Sequence, residues 1–259
     1  MSKPEDIDEV NQRKYEEYYS NAQVSLKPLK KTDFFQILVD IRRDLIQCYG
    51  AGKKVLDIGC STGDYLLMVK DVIAEGVGLD YTQKSISAAS SKCNQANIKN
   101  IEFIQADAKN IPYSDKTFDL VYSFATLGYI SEVERVIVEI VRILKKDGIA
   151  ILEFGNLWNL NTLVCKKTPD IAISCHRTLS DMKKMIKKAG LEIIDWRSFQ
   201  MFPYWGAHPQ WIRLLLHPFW KKIMEKKIGE KMVDEWISNI PLIRNFSFRQ
   251  MIICRKVSE

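Results

Sequence analysis

Residues 53–66, KKVLDIGCSTGDYL, constrain the fold of this chain more than any other stretch. Three apolar side chains form the short run typical of a parallel strand that is covered on both faces: Val55, Leu56 and Ile58. Gly59 and Gly63 then bracket a turn, where the missing Cβ atoms permit unusual dihedrals and the close approach of a ligand. The next helix would point free N–H groups at the same place. The stretch therefore predicts a buried strand, a glycine turn and a helix start, with a cofactor in the crevice.

The spacing of the glycines distinguishes a dinucleotide site from other cofactor sites. A dinucleotide-binding fingerprint has glycines at relative positions one, three and six, whereas here the two glycines stand four apart, with a serine between them. The pattern resembles the first motif of class I S-adenosylmethionine-dependent methyltransferases, an acidic residue followed by Gly-x-Gly-x-Gly, with the serine replacing the middle glycine. The resemblance implies S-adenosylmethionine as the cofactor. The site residues that it implies here are Asp57, Gly59, Cys60, Ser61 and Gly63.

Two further carboxylates follow predicted strands. Asp80 ends the second strand, 21 positions after Gly59, where an ionised carboxylate can accept hydrogen bonds from both hydroxyls of a ribose. Methyltransferases and dehydrogenases share this feature, and the neighbouring Tyr81 is assigned to the same site. Asp107 ends a third strand; in class I methyltransferases this position commonly contacts the adenine amino group, and the next residue, here Ala108, packs on the ring. This second acidic strand end favours a methyltransferase over a dehydrogenase.

The fourth predicted strand begins at Phe118 and ends at Ser123, where the cofactor methyl and its acceptor are expected to meet. With the preceding D-A-x-x-I-P run, this region is similar to the ubiquinone-biosynthesis-like group of class I methyltransferases, also known as methyltransferase type 11. Enzymes that methylate base amino groups carry an N/D-P-P-Y-type motif here, and cytosine C5 enzymes carry a Pro-Cys nucleophile. The SFAT sequence supplies neither, which argues against a nucleic-acid acceptor.

A His-Arg pair, His176 and Arg177, precedes a helix-strand unit typical of the same group. Histidine has an unperturbed pKa of about 6.5 and can act as a base near neutral pH, so we predict that His176 takes a proton from an acceptor hydroxyl. The alternative is a histidine that only orients the backbone or binds the acceptor. The cysteines and histidines show no metal-ligand spacing, so no metal is expected.

The resemblance implies an α/β fold, a Rossmann-like seven-stranded, mostly parallel sheet whose last strand is antiparallel. The stretch between the matching segments predicts a C-terminal helical insertion that the resemblance does not cover. We predict a cofactor-binding core at residues 51–199 and 246–259, an N-terminal helical cap at 1–50, and a helical lid over the acceptor at 200–245. A cluster of tyrosines in the cap could line the cofactor site, although exposed side chains are the favoured interpretation. The three tyrosines are Tyr15, Tyr18 and Tyr19.

Length, composition and charge limit the domain number, the cellular compartment and the class of partner. With 259 residues and 46% hydrophobic content, the chain is long enough for one sizeable core. Six cysteines without paired spacing, no signal peptide and no spanning apolar run predict a cytoplasmic protein. The net charge of +6 favours a solvated lysine surface over nucleic-acid binding. Large apolar residues beside lysines at 205–228 raise the alternative of peripheral membrane contact.

These features together predict an enzyme that transfers a methyl group from S-adenosylmethionine to a small-molecule, lipid-like or glycan acceptor. Two alternatives stay open: a methyltransferase-fold binding subunit without catalytic activity, and an NAD(P)-dependent oxidoreductase. The binding subunit gains weak support because relatives often have a histidine shortly after the fourth strand, where this chain has Leu127, Gly128 and Tyr129.

Overall fold

The strands of the main sheet lie where the apolar runs of the sequence predict them. A computed structural model describes residues 6–21, 33–167, 172–203 and 217–257. Its strands are β1 (Lys54–Ile58), β2 (Glu75–Asp80), β3 (Ile101–Gln105), β4 (Phe118–Ser123), β5 (Leu144–Gly155), β6 (Leu191–Phe199), β7 (Lys227–Ile228), β8 (Lys231–Met232) and β9 (Arg249–Lys256). Its α-helices are α1 (Ile7–Asn21), α2 (Phe34–Gly50), α3 (Asp64–Val69), α4 (Gln83–Gln95), α5 (Val133–Ile143), α6 (Leu160–Lys167), α7 (Leu179–Lys188), α8 (Pro218–Met224) and α9 (Val233–Ser238).

Seven of these strands form one sheet in the order β3-β2-β1-β4-β5-β9-β6, and β7 and β8 form a separate hairpin. The first five strands of that order pair in parallel, while β9 runs antiparallel to both β5 and β6. Parallel pairing needs a long crossover, and α3, α4 and α5 lie in the connections that follow β1, β2 and β4. The predicted fold, a mostly parallel sheet with an antiparallel last strand, is confirmed.

Helices cover both faces of the sheet, which explains the continuous apolar runs. Successive side chains of a strand point to opposite faces, so Leu56 and Ile58 pack with residues of α5 and α7, whereas Val55 packs with residues of α2 and α3. All three side chains are fully buried. Burial of one such side chain contributes roughly 1.5–3 kcal/mol, so the centre of the sheet is a rigid support for the loops at its edge.

The described part of the predicted lid, residues 217–245, packs at one end of the sheet. The buried Asp234 carboxylate accepts hydrogen bonds from the two backbone N–H groups that follow β6 (2.6 and 3.1 Å). Glu225, after α8, accepts a hydrogen bond from the first N–H of α2 (3.0 Å). Residues 204–216 lie outside the described residues, so a lid over the acceptor stays a prediction.

Candidate functional site

The carboxyl ends of four neighbouring strands border a cleft of about 270 Å³. Because these strands are ordered β3-β2-β1-β4, the residues at or just after their ends stand in a row: Asp107, Asp80, Gly59 and Ala125. Open α/β sheets bind their ligands at this edge. Six residues predicted from the sequence line the cleft: Gly59, Ser61, Asp80, Tyr81, Asp107 and Ala108.

The turn after β1 requires glycine at its first position. Gly59 has a φ of +76°, and a Cβ atom there would stand 2.2 Å from the Thr126 hydroxyl oxygen in the loop after β4. Ser61 is also left-handed, with a φ of +50°, and its N–H donates to Oδ2 of Asp80 (2.9 Å). The serine at the middle of the motif is therefore held in an unfavourable backbone conformation by a carboxylate of the next strand.

Asp80 organises the middle of the cleft. Its Oδ1 accepts hydrogen bonds from the N–H (2.9 Å) and the hydroxyl (2.6 Å) of Thr82, and its Oδ2 accepts the bond from Ser61. An ionised carboxylate offers about four lone-pair positions, so one remains for a ligand hydroxyl after these three bonds. The side chain is half-buried at the cleft wall, which leaves that position accessible to a ligand.

Asp107 and Ala108 form the end of the row beside β3. Asp107 Oδ1 accepts a hydrogen bond from the N–H of Lys109 (2.9 Å), and Oδ2 lies 3.8 Å from the Lys109 ammonium nitrogen. The Asp107 side chain is 38% exposed, whereas Ala108 is buried at the cleft wall. A hydrogen-bond acceptor thus lies beside a small apolar surface, a combination that suits a planar ring with an amino group.

Helix α1 lies along the cleft and is hydrogen-bonded to three distant segments of the chain. Asn11 donates through Nδ2 to the carbonyls of Tyr129 (2.8 Å) and Ile173 (3.0 Å), and its Oδ1 accepts from the N–H of Ile173 (2.7 Å). Gln12 donates to the carbonyl of Tyr81 (3.1 Å). These partners lie 69 to 162 positions away in the chain. The α1 residues at the cleft wall are Asp8, Asn11, Gln12, Tyr15 and Tyr19.

Asp8 gives α1 a charged attachment. Its carboxylate accepts hydrogen bonds from the Lys109 ammonium (2.6 Å) and from the N–H (2.9 Å) and hydroxyl (3.0 Å) of Ser131. Burial raises the pKa of Asp8, but the hydrogen bonds from Lys109 and Ser131 outweigh burial, so this pKa lies below its ordinary value of 3.8. Asp8 is therefore ionised at neutral pH and holds α1 against the loops that follow β3 and β4.

Two of the three clustered tyrosines border the cleft, so the favoured interpretation of exposed side chains is wrong for them. Tyr15 stacks on Tyr19 (ring centroids 6.4 Å apart) and meets Tyr129 edge-on (6.3 Å). The Tyr19 hydroxyl lies 2.5 Å from the Ser61 hydroxyl, and burial raises the pKa of Tyr19 to about 12. Tyr18 is 42% exposed, as expected. Partners from distant segments bury the other two rings, and no local pattern encodes such partners.

Four residues assigned to the cofactor site by motif position do not line the cleft: Asp57, Cys60, Gly63 and Ser123. Asp57 is 2% exposed and is the register partner of Tyr122 on β4, whose side chain packs in the α2 and α3 layer. The Asp57 carboxyl group and the Tyr122 hydroxyl interact with each other, but Oδ2 of Asp57 and this hydroxyl lack a hydrogen bond of good geometry among the described residues. Burial raises the pKa of Asp57 well above its ordinary value.

The other three residues have roles in the architecture of the turn. The buried Ser123 hydroxyl donates to the carbonyl of Ile58 (2.9 Å), which ties β4 to β1. Gly63 starts α3 with a φ of +77°, and a Cβ atom there would stand 2.4 Å from the Phe103 ring. Cys60 is buried behind the turn. Motif position places these residues at the turn and strand ends beside the cleft but does not determine which way each side chain points.

The predicted base, His176, lies in an adjoining cavity of about 40 Å³, called here the His176 cavity. Its ring is 8% exposed, and a Cβ atom at Gly155 would stand 2.4 Å from it. The Thr162 hydroxyl donates to the Asn156 carbonyl (2.5 Å), so its oxygen accepts the Nδ1 proton of His176 (2.8 Å). This bond assigns the tautomer: the neutral ring carries its proton on Nδ1 and its lone pair on Nε2.

The His176 cavity meets the 270 Å³ cleft, called here the cofactor cleft after its predicted ligand, at Ala125 and Tyr129, which line both spaces. Glu153, near the end of β5, forms another wall and is 2% exposed. It binds the guanidinium groups of Arg42 (2.6 Å) and Arg249. Burial raises the pKa of Glu153, but the two arginines outweigh burial, so this pKa lies below its ordinary value. The predicted proton acceptor therefore lies one cavity away from the predicted cofactor site, beside a buried ion network.

A glycine turn after the first strand, carboxylates at the next two strand ends and this sheet order define the class I methyltransferase fold. Residues 56–152 match the methyltransferase domain family. Residues 56–152 therefore form a methyltransferase domain, which agrees with the resemblance to class I S-adenosylmethionine-dependent methyltransferases seen in the sequence.

One curated relative is similar to part of this chain, and two solved structures share its fold. A demethylmenaquinone methyltransferase of Lactobacillus johnsonii is 39% identical over 108 residues, which cover 40% of this chain and 44% of that protein. A solved S-adenosylmethionine-dependent methyltransferase from Mesorhizobium loti superposes with a TM-score of 0.59 at 14% identity, covering 83% of this chain and 96% of its own. The structure of the cyclase SpnF superposes with a TM-score of 0.63 at 18% identity, covering 98% of this chain and 95% of its own. The matches span 39% to 54% of the length of three curated relatives.

The described residues contain neither a helix that could span a membrane nor a cluster of potential metal ligands. None of the helices in ranges 6–21, 33–167, 172–203 and 217–257 has the length and apolar character needed to cross a membrane. The same ranges contain no group of three or more His, Cys, Asp or Glu side chains placed to hold a metal ion.

Proposed function

We propose that this protein is an enzyme that transfers a methyl group from S-adenosylmethionine to a small-molecule or lipid-like acceptor. The observation that carries the proposal is the row of Gly59, Asp80 and Asp107 along one cleft, with the His176 cavity next to it. A relative named for demethylmenaquinone supports an acceptor of this size and kind.

The cleft residues fit the cofactor chemically. We assign the free lone-pair position of Asp80 to a ribose hydroxyl, and the exposed Asp107 carboxylate to the adenine amino group. Ala108 would pack on the adenine ring. Gly59 leaves the space that a Cβ atom would fill against Thr126, so that the cofactor can lie close to the backbone of the turn.

The proposed roles of the protein are alignment, exclusion of water and proton removal. When bound, S-adenosylmethionine supplies a methyl group activated by a positively charged sulfur. Helix α1 shields the cleft from water, and the walls shared with the His176 cavity set the direction from which an acceptor approaches. His176, with its Nδ1 proton held by Thr162, would take the proton of an acceptor hydroxyl on Nε2.

Two alternative functions, a binding subunit and an NAD(P)-dependent oxidoreductase, predict different ligands and different turnover. One solved structure with this fold is described as a cyclase, so the fold alone does not determine the reaction, and a binding subunit would bind the cofactor without turnover. An NAD(P)-dependent oxidoreductase would need the dinucleotide glycine spacing, which the turn after β1 lacks.

Calorimetry with purified protein tests the proposal. S-adenosylmethionine and its demethylated product should each bind and raise the unfolding temperature, because a ligand selective for the folded state stabilises it by mass action. NAD should do neither. Binding of NAD without binding of S-adenosylmethionine would overturn the assignment. Methyl transfer to quinone-like, lipid and glycan extracts then separates an enzyme from a binding subunit.

We also propose that the protein meets lipid-like acceptors at a membrane surface. Only residues 217–228 of the predicted stretch 205–228 lie within the described residues, and this part exposes Phe219, Trp220 and Ile228. Further exposed apolar side chains follow it in the chain: Trp236, Leu242 and Phe246. Exposed lysines lie between them in the chain: Lys222, Lys226, Lys227 and Lys231. This mixture allows apolar groups to enter the headgroup region while cations contact anionic lipid.

Vesicle flotation tests this second proposal. The protein should float with vesicles that contain anionic lipid and less with neutral ones, and a double replacement of Phe219 and Trp220 by alanine should reduce flotation. Val138→Ala is the matched control, since Val138 is an exposed apolar residue on α5. If the protein does not float with either kind of vesicle, these side chains are solvent-exposed without membrane contact, and the second proposal is wrong.

A further inference from the structure

One amide of helix α1 holds the segment that carries His176. Both backbone groups of Ile173 bind the Asn11 side chain: the N–H donates to Oδ1 (2.7 Å), and the carbonyl accepts from Nδ2 (3.0 Å). Nδ2 also donates to the carbonyl of Tyr129 (2.8 Å). Asn11 is 5% exposed, and these three bonds use both amide protons, which fixes the orientation of the side chain. A single buried side chain therefore joins two segments that are distant in the chain.

The two segments that Asn11 joins form walls of the His176 cavity. The N–H of Cys175 donates to the carbonyl of Gly128 (2.6 Å), so the chain just before His176 pairs with the loop after β4. An added Cβ atom at Gly128 would stand 3.0 Å from the His176 ring, which meets the Tyr129 ring edge-on at 6.3 Å. Gly128, Tyr129 and His176 all line the cavity. The place of the His176 ring therefore depends on the pairing of these two segments, which Asn11 fastens together.

The same amide belongs to the wall of the cofactor cleft. Asn11 lines this cleft together with Tyr15 and Tyr19 of the same helix. None of the described side chains of α1 belongs to the two apolar clusters that bury the sheet, so polar and ring contacts at the rim of the cleft hold this helix. A segment with so little apolar burial opens more easily than the core. A ligand that fills the cleft contacts α1 and should strengthen its attachment.

We infer that Asn11 is a positioning residue that makes the placement of His176 depend on the cofactor. A bound cofactor holds α1 on the cleft, and Asn11 in turn holds the His176 segment, so the acceptor side is completed once the methyl donor is in place. The link runs through α1 and not through the sheet, because Tyr129 and Ile173 lie outside the strands. This role rests on the proposed function and adds an order of binding, cofactor before acceptor. By thermodynamic linkage, a bound acceptor strengthens cofactor binding by the same factor.

Hydrogen exchange of the wild-type protein tests the link without turnover. The reporters are the amides of Ile173, Cys175 and Arg177, whose N–H groups are all hydrogen-bonded. The probe is the demethylated product of S-adenosylmethionine, and its binding is measured by calorimetry on the same sample. It should raise the protection of α1 and of the three reporters together. At a hundred times the dissociation constant, mass action allows an increase of up to about a hundredfold.

Asn11→Asp keeps the shape of the side chain but replaces its donor nitrogen by an oxygen, so the carbonyls of Tyr129 and Ile173 lose their donor. With the probe bound, protection of the reporters should be about tenfold or more below that of the wild type, because two hydrogen bonds to a buried side chain are lost. The Gly59 N–H, which donates to the carbonyl of Leu79 in the turn after β1, should still gain protection from the probe.

The matched control is Asn94→Asp, the same chemical change at an exposed position near the end of α4, which should leave the response of the reporters unchanged. Asn11→Ala is the second variant, since it removes the same three bonds without adding a charge. If neither Asn11 variant folds, the comparison of the wild-type protein with and without the probe still decides.

Nitrogen NMR of labelled histidine gives a second readout, specific to the His176 ring. The chain has three histidines, and His176→Asn assigns the signal. In the wild type with the probe bound, the ring should show one tautomer with its proton on Nδ1, held by Thr162. Asn11→Asp should shift this signal toward that of an exposed histidine. A purely structural role of Asn11 would lower thermal stability but leave the ring signal and the response of the reporters to the probe unchanged.

The outcomes distinguish the role of Asn11 from the proposed function. Binding of the probe without increased protection of the reporters in the wild type overturns the role of Asn11 and leaves the proposed function standing. A response that survives both Asn11→Asp and Asn11→Ala also overturns it, because the link then runs through other contacts. Failure of the probe itself to bind overturns the proposed function first.

Discussion

The two halves of the carboxyl edge of the sheet are built in different ways. At β1, β2 and β3 the wall of the cleft consists of a glycine turn and carboxylates that are partly open to solvent, each at or just after its own strand. At β5, β9 and β6 the polar groups are buried and come from distant segments; Glu153 and Arg249 are 96 positions apart in the chain. Under the proposed function the first half recognises the cofactor, whereas the second half is a buried hydrogen-bonded network beside a small cavity.

This difference implies that one replacement in the second half should lower the reaction rate strongly without changing cofactor binding in the first half. His176→Asn should lower turnover roughly 10²–10⁴-fold if proton removal contributes to the barrier. The affinity for S-adenosylmethionine should stay unchanged, because His176 does not line the cofactor cleft. Turnover is measured with saturating cofactor, and affinity by calorimetry on the same preparation.

An activity within a few-fold of the wild type would assign His176 to the alternative role of binding or orientation. A parallel loss of cofactor affinity and thermal stability would instead show that the two halves are one cooperative unit. Metal chelators should leave the activity of both proteins unchanged.

The reciprocal replacement lies in the first half. Asp80→Ala should weaken binding of S-adenosylmethionine by about 1.5–3 kcal/mol, because a hydrogen bond to a charged group is worth about this much. The replacement also removes the acceptor of the Ser61 N–H. Asp71→Ala is the matched control, since this aspartate is 83% exposed and pairs only with its neighbour Lys70 among the described residues. Equal affinities of both variants would remove the ribose assignment, and calorimetry provides the measurement.

The sequence predicts the first half well because its signals are local. The sheet, the glycine turn and the positions of Asp80 and Asp107 all follow from short patterns in which a strand is followed at once by its functional residue. Asp57 and Ser123 show the limit of such patterns. Side chains on a strand alternate between faces, and a motif does not state which face borders the cleft. Both side chains are buried behind it.

The second half and helix α1 could not be predicted from local patterns. The contact of Asp8 with Ser131 and that of Arg42 with Glu153 each join segments more than one hundred residues apart. Such pairs depend on the register of the whole sheet and on how α1 crosses it. A polar helix start with three tyrosines looks solvent-exposed in the sequence, and only its distant partners make Tyr15 and Tyr19 part of the cleft wall.

The smallest expected effect concerns pH, to which α1, which packs on the first half, and α9, which packs beside the second, should respond differently. Asp234 docks α9 onto the residues that follow β6, and burial raises its pKa from 3.8 to about 6. A carboxyl whose pKa is higher in the folded state stabilises that state fully below its ordinary pKa, and the contribution is lost as pH rises through about 6. Asp8 has a lowered pKa, so its contribution is present above pH 3.8 and is lost only as pH falls below that value.

Hydrogen exchange between about pH 5 and pH 8, corrected for intrinsic rates, should therefore show unchanged protection of α1 and falling protection of α9. The pKa of Asp234 is 3.8 in the unfolded state and about 6 in the folded state. Between pH 5 and pH 8 this difference lowers the free energy of opening of α9 by roughly 1.4 kcal/mol, which corresponds to about tenfold less protection. Asp234→Asn should remove the pH dependence at α9, because an amide does not titrate, and should leave α1 as it was. If α1 and α9 lost protection together, the two halves would open as one unit, and the division of the edge into independent cofactor and acceptor sides would be wrong.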